Sequence, residues 1–170
     1  EDGETGAFWY ARDGSPTVAE AERRLGELEG GSALLFSSGM AACAAVVLAL
    51  LEPGKTVALA KGAYYGVGAM LDGLGPWGVG KVEFDQAGPP PDGVDLVWVE
   101  APSNPFLTMP DFEAAAAHPA LAVCDSTSAT PLHVRPLERG CDLVVHSATK
   151  YLGGHDDVLA GVVACKHDED

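Results

Sequence analysis

Short apolar runs recur along this chain, and each stops on residues able to do chemistry. "TVALA" (56–60), "KVEFD" (81–85), "DLVWVE" (95–100), "LAVCD" (121–125) and "DLVVH" (142–146) are too short for helices and mostly apolar on both sides. Strands buried on both faces, alternating with helical stretches, call for an α/β fold with a mainly parallel sheet flanked by helices. "SALLFSS" (32–38) reads as one more short buried strand.

The stretches between supply the helices. "SPTVAEAERRLGELEGG" (15–31) has Ser15 as N-cap, Pro16 at the first helical position and a glycine pair as its stop. Val18, Ala21, Leu25 and Leu28 follow one helical face. An apolar helix runs from Gly39 to Leu51, before the Pro53-Gly54 turn, and a weaker one from Tyr65 to Leu74. "QAGPPPDG" (86–93) is a loop, and no internal repeat is present.

Polar residues gather where the strands end: Ser37 to Gly39, Tyr64 and Tyr65, Glu100 to Asn104, Asp125 to Thr127, and Ser147 to Lys150. Ligands of open parallel sheets bind outside the carboxyl ends of the strands. Five strand ends therefore point to one shared site.

"HSATKYLGGHDD" (146–157) places a lysine among hydroxyls at such an end. A desolvated lysine with a depressed pKa condenses with carbonyl compounds, pyridoxal phosphate among them. Ser147 and Thr149 are short hydroxyl donors suited to a phosphate. "SSGMAA" (37–42) adds free amides and a helix dipole at a strand-to-helix junction. Asp125, leaving a buried strand, needs a cationic partner. A protonated pyridine nitrogen would serve, since ~4 Å at an effective dielectric of ~20 gives about 4 kcal/mol of attraction. Tyr65 could stack on such a ring and Asn104 could donate to its phenolic oxygen. Each feature also has a plain reading as a solvated loop, a helix cap or a core aromatic, so only the set is informative.

Composition excludes several alternatives. With ten Lys and Arg against 25 Asp and Glu, a net charge of −15 leaves no clustered basic footprint for nucleic acid. "MAACAAVVLALL" (40–51), the longest apolar stretch, is too short to span a bilayer, and no signal peptide is visible. Cys43, Cys124, Cys141 and Cys165 are scattered and fit neither a zinc site nor a disulfide framework, so free thiols in a reducing cytoplasm are expected. No metal is expected either, because His118, His133 and His167 have no ligand spacing and His146 and His155 read as structural. "GPWGVGK" (75–81) imitates a phosphate-binding P-loop, but Val82 stands where Ser or Thr should hold magnesium, and a strand follows instead of a helix.

The motif set resembles the pyridoxal-phosphate enzymes of cysteine and methionine metabolism, the family of cystathionine γ-synthase, cystathionine γ-lyase, cystathionine β-lyase and methionine γ-lyase. "HSATKYLGGHDDVLAG" (146–161) is close to its lysine signature. "YARDGSPT", "LEGGSALLFSSGMAA", "YYG", "VWVEAPSNP" and "CDSTSATPL" match further blocks in order, from about Tyr10 to Ala164. The resemblance implies the large domain of fold-type I enzymes over 15–170, without the small carboxy-terminal domain, and a segment 1–14 that contacts a neighbouring subunit. It implies that Lys150 carries the cofactor and moves protons. The phosphate would lie on Gly39, Met40, Ser147 and Thr149. Tyr65 would stack on the ring and assist proton transfer, Asp125 with Thr127 would meet the pyridine nitrogen, and Asn104 the phenolic oxygen. Tyr10 and Arg12 would reach the phosphate of a neighbouring subunit in a homodimer or homotetramer.

Some positions depart from the pattern. Ser15 stands where "NPT" is usual, Lys61 and Gly62 replace acidic residues, Val67-Gly68 replace "GT", and the segment between Asn104 and Asp125 is short, suggesting a trimmed helix. The family's carboxylate-gripping arginine lies in the missing half, so the chain reads as a cofactor half. The expected activity is C–S elimination on a small sulfur amino acid. A γ-replacement synthase and a non-catalytic partner subunit are the alternatives.

Overall fold

The computed structural model describes residues 8–12 and 14–166. Seven strands form one sheet: β1 (Ser32–Phe36), β2 (Thr56–Ala60), β3 (Gly80–Phe84), β4 (Leu96–Glu100), β5 (Leu121–Asp125), β6 (Leu143–His146) and β7 (Gly161–Cys165). Their order is β1-β7-β6-β5-β4-β2-β3. Pairings β2–β3, β2–β4, β4–β5 and β5–β6 are parallel, so the sheet is mainly parallel as its apolar runs imply. β7 was not visible as a strand in the sequence. It lies antiparallel between β1 and β6 and joins the first strand to the rest.

Alternation along the central strands assigns the two faces. Leu96, Trp98, Val123 and Val145 meet helices α2 (Gly39–Leu50) and α3 (Tyr65–Leu74) through Cys43, Val46, Val47, Val67 and Leu71. The opposite face, with Val97, Val99 and Cys124, packs on Ala115 of α4 (Phe112–Ala117). Near β6 and β7 that face is covered by Leu137, from the 3-10 turn 136–139, and by Leu25 of α1 (Pro16–Glu29). A four-residue helix, α5 (Thr130–His133), follows β5.

Helix α1 starts and stops as its sequence dictates. The Ser15 hydroxyl accepts the Val18 amide, Pro16 opens the helix, and Gly30 ends it at φ 79°. Its buried face differs from the expected one. Val18 and Leu28 are exposed, whereas Gly26 and Glu29 are buried. A Cβ on Gly26 would meet the Gly31 carbonyl at 2.5 Å, so close approach of backbone, not apolar spacing, orients α1. Between Asn104 and Asp125 the chain forms one short helix, α4, of six residues.

Candidate active site

All five polar strand ends meet in one cleft of about 680 Å³ at the carboxyl edge of the sheet. One wall is the start of α2. Ser38 caps it by accepting the Ala41 amide at 3.1 Å. Gly39 and Met40, as its first residues, have no carbonyl four residues back within the helix, so their amides and the positive helix end are open to an anion. Both residues line the cleft.

The turn after β6 closes on this helix end. A Cβ on Gly39 would stand 2.7 Å from the Cβ of Ser147, so only glycine allows the contact. Thr127 knits the floor together: its amide donates to Asp125 Oδ1 at 2.9 Å, and its hydroxyl accepts the Ser147 amide at 2.8 Å. The Thr149 hydroxyl bridges the carbonyl and amide of Ala160, each at 3.2 Å, tying the turn to the approach to β7. The Lys150 amide donates to the Ser147 carbonyl, which turns the lysine into the cleft.

Two acidic side chains meet in the same cleft. Glu100 and Asp125 are register partners on β4 and β5, and both carboxyls are buried. Burial, and then the charge of Asp125, push Glu100 up to about 8, against the pull of the Tyr64 and Asn104 amides. Burial also raises Asp125, opposed by its bonds to Thr127 and by the nearby His146. His146 Nε2 itself pairs with Glu29 Oε1 at 2.5 Å behind the sheet. Cys43 lies between cleft and core, and burial raises its thiol far above the ordinary range, which leaves it unreactive. The cleft therefore brings together open helix-end amides, a buried carboxyl able to receive a cation, and an amine.

Of the residues singled out in the sequence, Gly39, Met40, Asn104, Asp125, Thr127, Ser147, Thr149 and Lys150 line this cleft. Tyr65 does not. It is 79% exposed beside Tyr64, with ring centroids 4.7 Å apart, and the tyrosines on the wall are Tyr64 and Tyr151. Tyr10 and Arg12 also lie outside. They are exposed, with the Arg12 guanidinium 4.8 Å from the Tyr10 ring. Lys150 is exposed, so the desolvation expected of it is not met within this chain. Sequence reading gave no role to Ser38, Tyr64 or Tyr151 on the cleft wall. A signal existed for Ser38, a serine directly before a helical glycine. The run 75–81 forms a 3-10 turn leading into β3, so it lacks the helix of a P-loop. His167 and residues 1–7 and 13 lie outside the described residues.

Known proteins share both the sequence and the fold of this chain. The chain is 47% identical over 165 residues to an L-methionine gamma-lyase of Streptomyces avermitilis, covering 92% of this chain and 39% of that protein. It is 38% identical over 176 residues to a cystathionine gamma-synthase of Mycobacterium bovis, covering 96% and 45%. Among solved structures, metB from Corynebacterium glutamicum superposes with a TM-score of 0.89 at 36% identity, over 95% of this chain and 45% of that one. A Campylobacter jejuni structure that carries N′-pyridoxyl-lysine-5′-monophosphate superposes at 0.85 with 30% identity, over 94% and 42%. The chain thus spans less than half the length of these relatives. The family model for Cys/Met metabolism PLP-dependent enzymes matches residues 1–170, and with the shared fold it establishes that the chain belongs to that family.

Proposed function

We propose that the chain holds pyridoxal 5′-phosphate in this cleft, as part of an enzyme that cleaves the C–S bond of a small sulfur amino acid by elimination. The observation that carries the reading is that Lys150 shares one cleft with the start of α2 and the buried carboxyl of Asp125. The residues fit the cofactor. The Gly39–Ser147 approach leaves a cradle that a Cβ would fill, and the buried Asp125 carboxyl is of the kind that receives a protonated ring nitrogen.

When bound, the cofactor withdraws electrons from the substrate's α-carbon. The Gly39 and Met40 amides and the Ser147 and Thr149 hydroxyls hold its phosphate, and Asp125, fixed by Thr127, holds the ring nitrogen. Asn104 donates to the phenolic oxygen. Lys150 Nζ would carry the cofactor and move the α-proton, and a tyrosine hydroxyl would give its proton to the departing thiolate, which leaves as the thiol. The family pattern favours Tyr65 for stacking and proton donation, while Tyr64 and Tyr151 line the wall. Residues 15–170 form the cofactor domain in this reading. Segment 1–14, through Tyr10 and Arg12, reaches the phosphate of a neighbouring copy in a homodimer or homotetramer. Four free cysteines accord with a cytoplasmic protein, and no helix among the described residues is long and apolar enough to cross a membrane.

Similarity to cystathionine gamma-synthases supports γ-replacement as the second reading. The test is the visible spectrum of the chain with pyridoxal phosphate, before and after borohydride, followed by peptide mass. A yellow protein that bleaches with the label on Lys150 supports the cofactor role; no colour, or a label elsewhere, overturns it. Release of thiol and keto acid from cystathionine or methionine distinguishes elimination from replacement, which instead consumes an added thiol. Lys150→Ala should abolish both label and turnover.

A further inference from the structure

Two buried polar residues take no part in the chemistry proposed above: Gln86 and Glu100, 1% and 5% exposed. Gln86 Oε1 accepts the Glu100 amide at 2.9 Å. Its Nε2 donates to the carbonyls of Glu100 at 2.8 Å and Thr108 at 2.7 Å. With its backbone fixed on both sides, Glu100 directs its carboxyl into the cleft wall. There Oε2 accepts the Tyr64 amide at 2.6 Å, and the Asn104 amide also pulls on the carboxyl. Tyr64 and Asn104 belong to different exposed loops, one after β2 and one after β4. One buried carboxyl therefore spans both loops from beneath.

We infer that Glu100 is a positioning residue that clamps the Tyr64 and Asn104 loops together at the rim of the cleft, and that the clamp tightens when a cationic ring is seated against Asp125. The second half rests on the cofactor reading, whereas the first stands on the hydrogen bonds alone.

The physical link is charge. Glu100 faces Asp125 across the β4–β5 ladder, Cys43 from α2 and the Tyr64 loop; His146 on β6 acts on Asp125, and Lys150 shares the cleft. Burial and the neighbouring carboxyl keep a proton on Glu100 up to about pH 8, and a neutral carboxyl is a weaker acceptor. A positive ring nitrogen against Asp125 offsets that repulsion. Glu100 then releases its proton to solvent, and both loop bonds become charge-assisted.

Hydrogen exchange of the Tyr64 and Asn104 amides tests this in the full chain, with and without pyridoxal phosphate. Glu100→Ala should lower protection of both amides about threefold to tenfold, the size of a lost bond to a neutral carboxyl. Added pyridoxal phosphate should raise protection in the wild type and leave Glu100→Gln unchanged. Cofactor affinity should climb towards pH ~8 more steeply in the wild type than in Glu100→Gln, because only the former releases this proton. Equal protection in wild type and Glu100→Ala overturns the clamp. Where Glu100→Ala fails to fold, equal exchange and equal pH slopes in Glu100→Gln and wild type overturn it instead. Protection unmoved by bound pyridoxal phosphate overturns the tightening. If no cofactor binds, the tightening falls with the cofactor reading, while the loss of protection in Glu100→Ala still decides the clamp.

Discussion

Gly39 lies so close to Ser147 that a Cβ on the glycine would stand 2.7 Å from the serine's Cβ and 2.9 Å from its Cα. Helix α2 and the lysine turn are thereby locked at a fixed spacing. Gly161 seals the same corner, since a Cβ there would stand 2.1 Å from the Ser38 carbonyl oxygen.

Gly39→Ala should part the helix end from the turn. A backbone neighbour cannot swing aside as a flexible side chain would, so the cost is about 1–3 kcal/mol of stability. Affinity for pyridoxal phosphate should fall about tenfold or more, read by spectral titration at a temperature where the variant is folded. Unchanged affinity would show that the cradle does not grip the phosphate.

The Glu29–His146 pair is buried on both sides, at 1% and 0% exposure. Removing one member leaves the other without its partner, so His146→Ala should cost about 3–5 kcal/mol in urea unfolding. Glu29→Leu combined with His146→Leu should recover most of that loss. A double variant no better than the single would mean that the pair's exact geometry, not its desolvation, matters.

Stability should fall as pH rises from about 4.5 to about 8. Glu100 has its folded pKa raised from 4.5 to about 8, so the folded chain binds more protons than the unfolded one throughout that window. Asp125 is raised as well and acts in the same direction. For Glu100 the expected loss is about 2–4 kcal/mol, below the full linkage value because the carboxyl borders the cleft. Unfolding midpoints across this window should flatten in Glu100→Gln, and a slope equal to wild type would refute the assignment.

Gln86→Leu removes three hydrogen bonds beside a buried strand end and strands the Glu100 amide. A loss of about 2–4 kcal/mol is expected by thermal unfolding, with Tyr64 amide exchange accelerated. A neutral result would mean that water replaces the glutamine.

The sheet and its converging strand ends were legible because both depend on local pattern: short apolar runs and the residues that stop them. Strand β7 was not. "GVVAC" follows the glycine-rich lysine block and has no turn signal to set it apart, and its place beside β1 depends on a partner more than a hundred positions away. The exposed Leu28 and the buried Glu29 show the same limit, since α1 is oriented by Gly26 and Gly31 pressing on backbone. Glu100 was visible as a strand-end carboxylate. Its pairing with Asp125 appears only once the register is known, and the choice between Tyr64 and Tyr65 depends on one turn of loop geometry.

The place of β7 governs the order in which this chain can assemble. Ser32 pairs with Cys165, so β1 joins the sheet only through residues synthesised long after it. Until then β6 presents an open apolar edge that a chaperone or a second nascent chain can occupy. Pairing across so long a loop is slow. It is also the event that seats Gly161 under Ser38, so a newly made chain has no finished anion cradle until its last described strand is in place.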